Sequence, residues 1–282
     1  WELSCHKDGP SVVADGEYKG LTLNEYIEKA GKGVLGKNCE RFENFPILIK
    51  LIDAKDNLSV QVHPDNDYAM RVEGEYGKTE MWYVVDCDEG ATLLYGFKHE
   101  ITKEEFARRI ADNTLLEVTN AVPVKKGDVF FIKSGTLHAI GKGILIAEIQ
   151  QNSNTTYRIY DYGRVGKDGK PRELHVDKAL DVTKLAPAEQ YPETPVEKKD
   201  GYDIKLLSKC EYFTTYRVNV ETKAELDADE NSFNSILVLE GEPVISGGET
   251  VSAKKGESVF ISAGTGKYTV EGKCTFVLTK ID

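Results

Sequence analysis

Short apolar runs separated by turn residues are the feature that most restricts the fold of this chain. Runs rich in β-branched and aromatic residues occupy 45–53, 81–87, 91–97, 128–132 and 143–151, with Gly, Asn, Asp or Pro residues between them. Runs of this length and composition are typical of β-strands. More runs of the same kind follow residue 201. The sequence therefore predicts a mainly β protein.

A few segments have the apolar spacing of short helices instead. These segments are 22–30, 102–113 and 175–182. Thr22 is the predicted N-cap of the first, and Thr102 followed by Glu105 has the pattern of a capping box. A polar loop over 164–173 is expected to contain a turn at Asp168 and Gly169.

One segment of the chain occurs twice. KKGDVFFIKSGTLH (125–138) aligns without gaps with KKGESVFISAGTGK (254–267), which indicates a duplicated β module. The first copy ends in His138 and the second in Lys267, whose side chain cannot ligate a metal while it carries its proton. If this position binds a metal, only the first copy does so.

The segment 184–201 contains three prolines and many charged residues, which is typical of a linker. We therefore predict a first module with helical insertions over 1–183 and a second module over 202–282. No histidine follows His175, so we expect the second module to have a structural role. The chain begins with Trp1 instead of Met, and we expect that its original N-terminal segment is missing.

Composition argues against two classes of partner. The net charge of -11 argues against nucleic-acid binding, because neutralising phosphates requires clustered Lys and Arg residues. No apolar run approaches the ~20 residues that span a bilayer. The five cysteines are scattered and form no CxxC pair, so the sequence predicts reduced thiols in a cytoplasmic protein.

Four residues near strand ends are candidate metal ligands. Gln61 and His63 lie two positions apart, so both side chains point to the same face if this run is a strand. Glu80 lies at the start of another run, and His138 follows a third in a Gly-rich turn. Two imidazoles, a carboxylate and an amide oxygen suit Zn²⁺ or a similar first-row ion. The alternative is that these histidines are ordinary core or turn residues. The other histidines lie in polar contexts and are predicted to be surface residues: His6, His99 and His175.

The motifs QVHPDN, KTEMWYV, GTLHAIG and EIQQNSNTTYRIYD, in this order, resemble the signature of type I mannose-6-phosphate isomerases of the short bacterial form. The segment from Gly127 to His138 is also similar to the second motif of cupins. The resemblance extends from Trp1 to about Leu180. It implies two cupin-type jelly-roll β-barrel modules, of which one binds a metal.

The resemblance also implies roles for individual residues. One Zn²⁺ per chain would be bound by Gln61, His63, Glu80 and His138. Arg158 matches the active-site arginine, Lys78 matches a lysine with an acid–base or substrate-contact role, and Ser59 matches a position proposed to contact phosphate. Asn154 stands where many relatives have Asp, so a proposed proton carrier is absent. Without the resemblance, Lys78 would be interpreted as a surface lysine and Arg158 as an ion-pair partner of Asp161.

The implied activity interconverts mannose 6-phosphate and fructose 6-phosphate through an enediol, with zinc and fixed cations stabilising the oxyanion. The partner would be a small-molecule sugar phosphate, and the protein would be a monomer or a homodimer. Two alternatives stay open. A non-catalytic, metal-containing sugar-phosphate-binding or regulatory cupin is suggested by Asn154. An iron-dependent oxygenase usually has two histidines and a carboxylate, a pattern that the Gln-x-His and Lys-x-Glu pairs fit less well.

Overall fold

The computed structural model describes residues 1–166 and 169–282. Its α-helices are α1 (Leu23–Ala30), α2 (Asn66–Val72), α3 (Lys103–Ala111) and α4 (Val176–Val182). Short 3-10 helices cover Lys32–Leu35, Lys37–Cys39 and Leu115–Glu117. The strands up to residue 160 are β1 (Ile47–Ala54), β2 (Val60–Val62), β3 (Glu80–Cys87), β4 (Thr92–Phe97), β5 (Thr119–Pro123), β6 (Val129–Ile132), β7 (His138–Ala139), β8 (Ile144–Gln151) and β9 (Tyr157–Tyr160). The later strands are β10 (Val196–Lys199), β11 (Tyr202–Lys209), β12 (Thr214–Val220), β13 (Lys223–Ala228), β14 (Asn234–Gly241), β15 (Val244–Gly247), β16 (Glu249–Ser252), β17 (Ser258–Ile261), β18 (Gly266–Glu271) and β19 (Cys274–Lys280).

The chain divides into two compact units. The central unit is Ile52–Tyr191, and the terminal unit combines Trp1–Leu51 with Pro192–Asp282. This division differs from the predicted one, which assigned residues 1–51 to the first module. The physical reason is long-range pairing inside the terminal unit: Lys37 donates its backbone N–H to Glu230 O, and Phe45 stacks on Phe233 with ring centroids 5.4 Å apart. Whether 1–183 and 202–282 fold as separate modules stays a prediction.

The central unit contains two facing β-sheets. Strands β8, β3 and β6 are neighbours in one sheet, and the other has the order β5-β4-β7-β2-β9. Trp82 and Ile146 from the first sheet share one buried core with Leu93 and Tyr95 from the second. Packing of two inner faces around a common core is the arrangement of a jelly roll.

Helices cover the outer face of the five-stranded sheet. Val60 and Val62 of β2 pack in one buried cluster with Ala139 of β7, Phe106 of α3 and Ala179 of α4. Side chains alternate between the two faces of a strand. The residues between these apolar positions therefore point to the inner face, toward the opposite sheet.

The terminal unit repeats the two-sheet arrangement. A sheet of order β10-β11-β12-β19-β14-β17 faces a sheet of order β13-β18-β15-β16. Val218 and Phe276 of the first share a core with Ile245 and Tyr268 of the second. The predicted fold class, mainly β with two cupin-type jelly rolls and a few short helices, is confirmed.

The repeated segment has the same structure in both units. Its copies are offset by 129 residues, and this offset maps the strand Val129–Ile132 onto the strand Ser258–Ile261. Gly127 and Gly256 have φ angles of 91° and 86°, a region that favours glycine. Each glycine donates its N–H to the neighbouring strand, to Val84 O and Val238 O, over 2.8 Å.

Local sequence signals identified three of the four α-helices in the described residues. Thr22 caps α1 in a full capping box with Glu25, and Thr102 caps α3 through Glu105 N–H. Helix α4 lies in the third predicted segment, whereas α2 was not predicted. The predicted linker includes β10. Asp168 of the predicted turn lies outside the described residues.

Two further predictions concern the cysteines and membrane-spanning segments. All five cysteines are free in the structure, and their redox state stays a prediction. In the described part of the chain, no helix combines the length and the apolar character needed to span a membrane.

Candidate active site

Two histidines and a glutamate meet on the inner face of the central unit. The Nε2 atoms of His63 and His138 are 3.1 Å apart. Glu80 Oε1 lies 3.3 Å from His138 Nε2, and Glu80 Oε2 lies 3.6 Å from His63 Nε2. All three side chains are at most 1% exposed. Across residues 1–166 and 169–282, this is the one cluster of His, Cys, Asp and Glu side chains with spacing suited to a metal ion.

The other nitrogen of each imidazole binds a main-chain carbonyl. His63 Nδ1 donates to Thr155 O over 3.0 Å, and His138 Nδ1 donates to Thr136 O over 2.8 Å. These bonds place the ring protons on Nδ1 and leave both Nε2 lone pairs directed into the cluster. Burial lowers the pKa of His138 to about 4, so this imidazole is neutral near pH 7. Neutral imidazoles oriented by a second hydrogen bond are the usual state of metal-binding histidines.

Gln61 joins this cluster through the sheet. It lies directly opposite His138 on one neighbouring strand and Arg158 on the other. Its Nε2 atom is 3.3 Å from His138 Nε2. An amide ligates metals through oxygen, so Gln61 joins the ligand set only with its amide turned to present Oε1.

Lys78 is buried beside the cluster, which contradicts its interpretation as a surface lysine. It is 4% exposed, and its Nζ lies 3.2 Å from Glu80 Oε2 and 4.0 Å from Glu148 Oε1. Burial alone would lower the pKa of Lys78, but the carboxylates of Glu80 and Glu148 outweigh burial and raise it. Lys78 is therefore an ammonium ion in this structure.

Arg158 binds Ser59 and the following loop. Its Nε donates to Ser59 Oγ over 3.3 Å, and one terminal nitrogen donates to Glu173 O over 3.1 Å. Its neighbours in β9, Tyr157 and Ile159, belong to the outer cluster with the helices. Arg158 therefore shares the inner face with Gln61.

Asp161 pairs with two other arginines, so the alternative of an Arg158–Asp161 ion pair is wrong. Arg172 donates to both carboxylate oxygens of Asp161 over 2.6 and 2.8 Å, and Arg164 also binds this carboxylate. The charges of Arg164 and Arg172 act on Arg158. Three guanidinium groups against the carboxylates of Asp161 and Glu173 leave one net positive charge in the region next to Arg158.

The geometry of the cluster fits a small divalent cation. Ligands bound 2.0–2.1 Å from a tetrahedral ion lie about 3.3 Å from one another. The Nε2 atoms of His63 and His138 are 3.1 Å apart. Glu80 Oε1 lies 3.3 Å from His138 Nε2 and Glu80 Oε2 lies 3.6 Å from His63 Nε2, so each of these separations is close to this value. The donor types and the distances therefore agree with a metal site.

Sequence reasoning missed Glu148. Its carboxylate accepts a hydrogen bond from Trp82 Nε1 over 2.9 Å and lies next to Lys78. The composition of β8 was a usable signal, because Glu148 is its one charged residue and follows four apolar residues.

The remaining histidine predictions had mixed outcomes. His99 is exposed as predicted. His6 is only 6% exposed, because Ser4 and Trp1 pack around it, so its prediction was wrong. His175 is partly buried, and its Nδ1 accepts the backbone N–H of Arg158. Asn154, four residues before Arg158, is exposed.

Comparisons with known proteins agree with this architecture. A sequence model described as the catalytic domain of type I phosphomannose isomerase matches residues 1–90. A second, described as the cupin domain of mannose-6-phosphate isomerase, matches residues 203–281. The mannose-6-phosphate isomerase ManA of Bacillus subtilis strain 168 is 39% identical over 283 residues, which cover 100% of this chain and 88% of the relative. The mannose-6-phosphate isomerase of Streptococcus mutans serotype c is 39% identical over 268 residues, covering 93% of this chain and 81% of the relative.

A solved structure extends the comparison to three dimensions. The crystal structure of the mannose 6-phosphate isomerase from Bacillus subtilis superposes with a TM-score of 0.92 at 38% identity. The superposition covers 99% of this chain and 88% of that protein. Similarity at this level over nearly the whole chain makes the protein a member of the type I mannose-6-phosphate isomerase family.

Proposed function

We propose that the protein interconverts mannose 6-phosphate and fructose 6-phosphate at the inner face of its central unit. The observation that carries the proposal is a buried cluster of His63, His138 and Glu80, with the ammonium group of Lys78 next to Glu80. An aldose–ketose isomerase must stabilise negative charge on a sugar oxygen and move protons between two carbons. A dry site with fixed positive groups suits both tasks.

The residues that would hold the metal are Gln61, His63, Glu80 and His138. Their nitrogen and oxygen donors favour Zn²⁺, with one ion per chain. When bound, the ion would act as a Lewis acid toward the oxygens of the sugar.

Lys78 would exchange protons with the sugar oxygens. As the carbon-bound proton leaves C2 for a base, the C1 carbonyl oxygen gains negative charge and takes a proton from Lys78. In the second half, the C2 hydroxyl returns a proton to Lys78 as the new carbonyl forms, and C1 receives the proton held by the base. The raised pKa of Lys78 supports the role of a proton donor in the resting protein, since a lysine must be charged to donate. Glu148 would orient Lys78.

Arg158 and Ser59 would bind the phosphate group. The guanidinium fork matches phosphate oxygens, and Ser59 Oγ holds the Nε edge of Arg158. Arg158, Arg164 and Arg172 together exceed the carboxylates of Asp161 and Glu173 by one charge, which favours an anionic phosphate group at this end of the site.

The finer assignments form part of the same proposal. Five free cysteines are consistent with a cytoplasmic enzyme, and we expect a monomer or a homodimer. The terminal unit would have a structural role. Lys267, which aligns with His138, is exposed, and the one metal-like cluster in the described ranges lies in the central unit.

A turnover assay tests the proposal. Purified protein of known metal content is assayed for conversion of mannose 6-phosphate to fructose 6-phosphate, before and after chelation. We expect activity that is lost with the chelator and restored by Zn²⁺. Stoichiometric zinc with no turnover would favour the sugar-phosphate-binding alternative, and Asn154→Asp would then be the first variant to assay. Activity restored by Fe²⁺ but not by Zn²⁺ would contradict the proposed metal.

A further inference from the structure

The two segments that carry the candidate ligands are connected by a pair of side-chain amides. Gln151 is the last residue of β8, and it is 3% exposed. Its Oε1 accepts the backbone N–H of Thr79 over 2.8 Å, and its Nε2 donates to Asn66 Oδ1 over 2.9 Å. The same Asn66 oxygen accepts the backbone N–H of Gly77 over 2.9 Å.

Gln151 binds both backbone groups of Thr79. Besides the bond to its side chain, its backbone N–H donates to Thr79 O over 3.1 Å. The N–H of Thr79 belongs to the peptide that follows Lys78, and the C=O of Thr79 belongs to the peptide that precedes Glu80. Because peptide groups are planar, these two bonds orient the Cα atoms of Lys78 and Glu80 together.

Asn66 extends the connection to the histidine side of the site. It lies three residues after His63, and Lys78 donates its backbone N–H to Pro64 O over 3.0 Å. The hydrogen bonds of Gln151 and Asn66 form a series with a backbone donor at each end, the N–H groups of Thr79 and Gly77. These two donors fix which atom of each amide is the acceptor. The orientation of both amides is therefore determined.

We propose that Gln151 is a positioning residue that sets the distance between the carboxylate of Glu80 and the imidazole of His63. This proposal rests on the metal site described above. Gln151 would not contact the ion or the substrate. It would act through Thr79 and Asn66, which hold the two ligand-bearing segments in register. Outer groups of this kind typically change metal affinity or activity by about 10–100-fold when they are removed.

Metal affinity separates this role from a purely structural one. Gln151→Met keeps the length of the side chain and removes its two side-chain hydrogen bonds, to Thr79 N–H and to Asn66 Oδ1. We expect its dissociation constant for Zn²⁺, measured by competition with a chromophoric chelator, to rise about 10-fold or more. Gln151→Glu keeps an acceptor for Thr79 and loses the donor to Asn66, so its affinity should lie between those of Gln151→Met and the wild type.

Asn234→Leu provides a matched control. Asn234 is also a buried amide, and its Nδ2 donates to Asp227 O and Tyr268 Oη in the terminal unit. We expect this variant to melt at a lower temperature and to bind Zn²⁺ as the wild type does.

Three outcomes have defined meanings. Folded Gln151→Met with zinc affinity within about twofold of the wild type would overturn the proposal, and so would an equal loss of affinity in Asn234→Leu. If Gln151→Met does not fold, the affinity of Gln151→Glu decides in the same way. The measurement uses Zn²⁺ without sugar, so weakened zinc binding supports the positioning role even if the isomerase assay fails.

Discussion

Replacing Lys78 by Met tests how the charges of the site balance. Lys78 is 4% exposed and Glu80 is fully buried, with Lys78 Nζ 3.2 Å from Glu80 Oε2. In protein without metal, Lys78→Met removes this ammonium group from a buried carboxylate. Breaking a buried ion pair by removing one partner costs about 3–5 kcal/mol. The raised pKa of Lys78 means that the stabilisation is fully present at pH 7 and is lost only as the pH rises above ~10.4.

The expected size can be converted to a melting temperature. The central unit spans Ile52–Tyr191, and a domain of this size shifts by roughly 3 °C per kcal/mol. We therefore expect Lys78→Met to lower the melting temperature of the central unit by roughly 10 °C in the presence of a chelator. With Zn²⁺ present, a cation bound as proposed would balance the charge of Glu80, and the shift should be less than half as large. With Zn²⁺ present, turnover should fall about 10²–10⁴-fold, because the proposed proton donor is absent.

Calorimetry with chelator and with excess Zn²⁺ measures both shifts. Lys37→Met is a suitable control, because Lys37 pairs with Glu230 over 2.7 Å but both side chains are mostly exposed. Exposed pairs contribute about 0–1 kcal/mol, so this variant should melt close to the wild type. A Lys78→Met protein that melts within 3 °C of the wild type in chelator, or that loses equal stability in both conditions, would refute the charge-balance argument.

Four other perturbations have defined outcomes. Arg158→Ala should lower kcat/KM about 10²–10³-fold in turnover assays and leave bound zinc nearly unchanged; normal turnover would exclude its proposed role. Hydrogen bonds from two arginines lower the pKa of Asp161, so its stabilisation is present above pH ~3.9 and lost as the pH falls through its folded pKa. Asp161→Asn should therefore make acid unfolding less steep in denaturation scans below pH 5; an unchanged profile would contradict this. Gly77→Ala places a Cβ 2.3 Å from the carbonyl carbon of Asp65 and should cost about 1–3 kcal/mol by thermal melting; a neutral change would mean that the two segments can separate without cost. Truncation after Gly201 removes most strands of the terminal unit and should leave the protein insoluble in expression tests, whereas a soluble, active product would disprove the structural role.

The candidate ligands could be predicted because they follow strand periodicity. Gln61 and His63 are two residues apart, at the end of a strand, and both side chains reach the same cluster. Glu80 begins a strand, as the apolar run that follows it indicated. The resemblance then selected Arg158 and Lys78, which composition alone would have left as surface or ion-paired residues. Local caps such as Thr22 were also readable, because a cap depends on residues within one turn.

The remaining features depend on contacts between distant parts of the chain. Glu148 was conspicuous in β8, but its role depends on Trp82 and Lys78. The role of Gln151 depends on Thr79 and Asn66. The assignment of residues 1–51 to the terminal unit likewise rests on pairings such as that of Lys37 with Glu230, almost 200 residues away. A single sequence contains no local signal for such pairings.

The helices packed on the outer face of the five-stranded sheet also fix the register of the strands that carry the candidate site. Strands β2 and β7 are very short, and one residue pair, Gln61 with His138, joins them. So few ladder bonds hold a register only weakly. A slip by one residue, however, would turn Val60 and Ala139 toward the polar cluster and bury Gln61 and His138 against α3 and α4. Exposing apolar side chains to the polar cluster and burying polar ones against the helices are both unfavourable. The apolar packing on the outer face of the sheet therefore keeps the candidate ligands in place on its inner face.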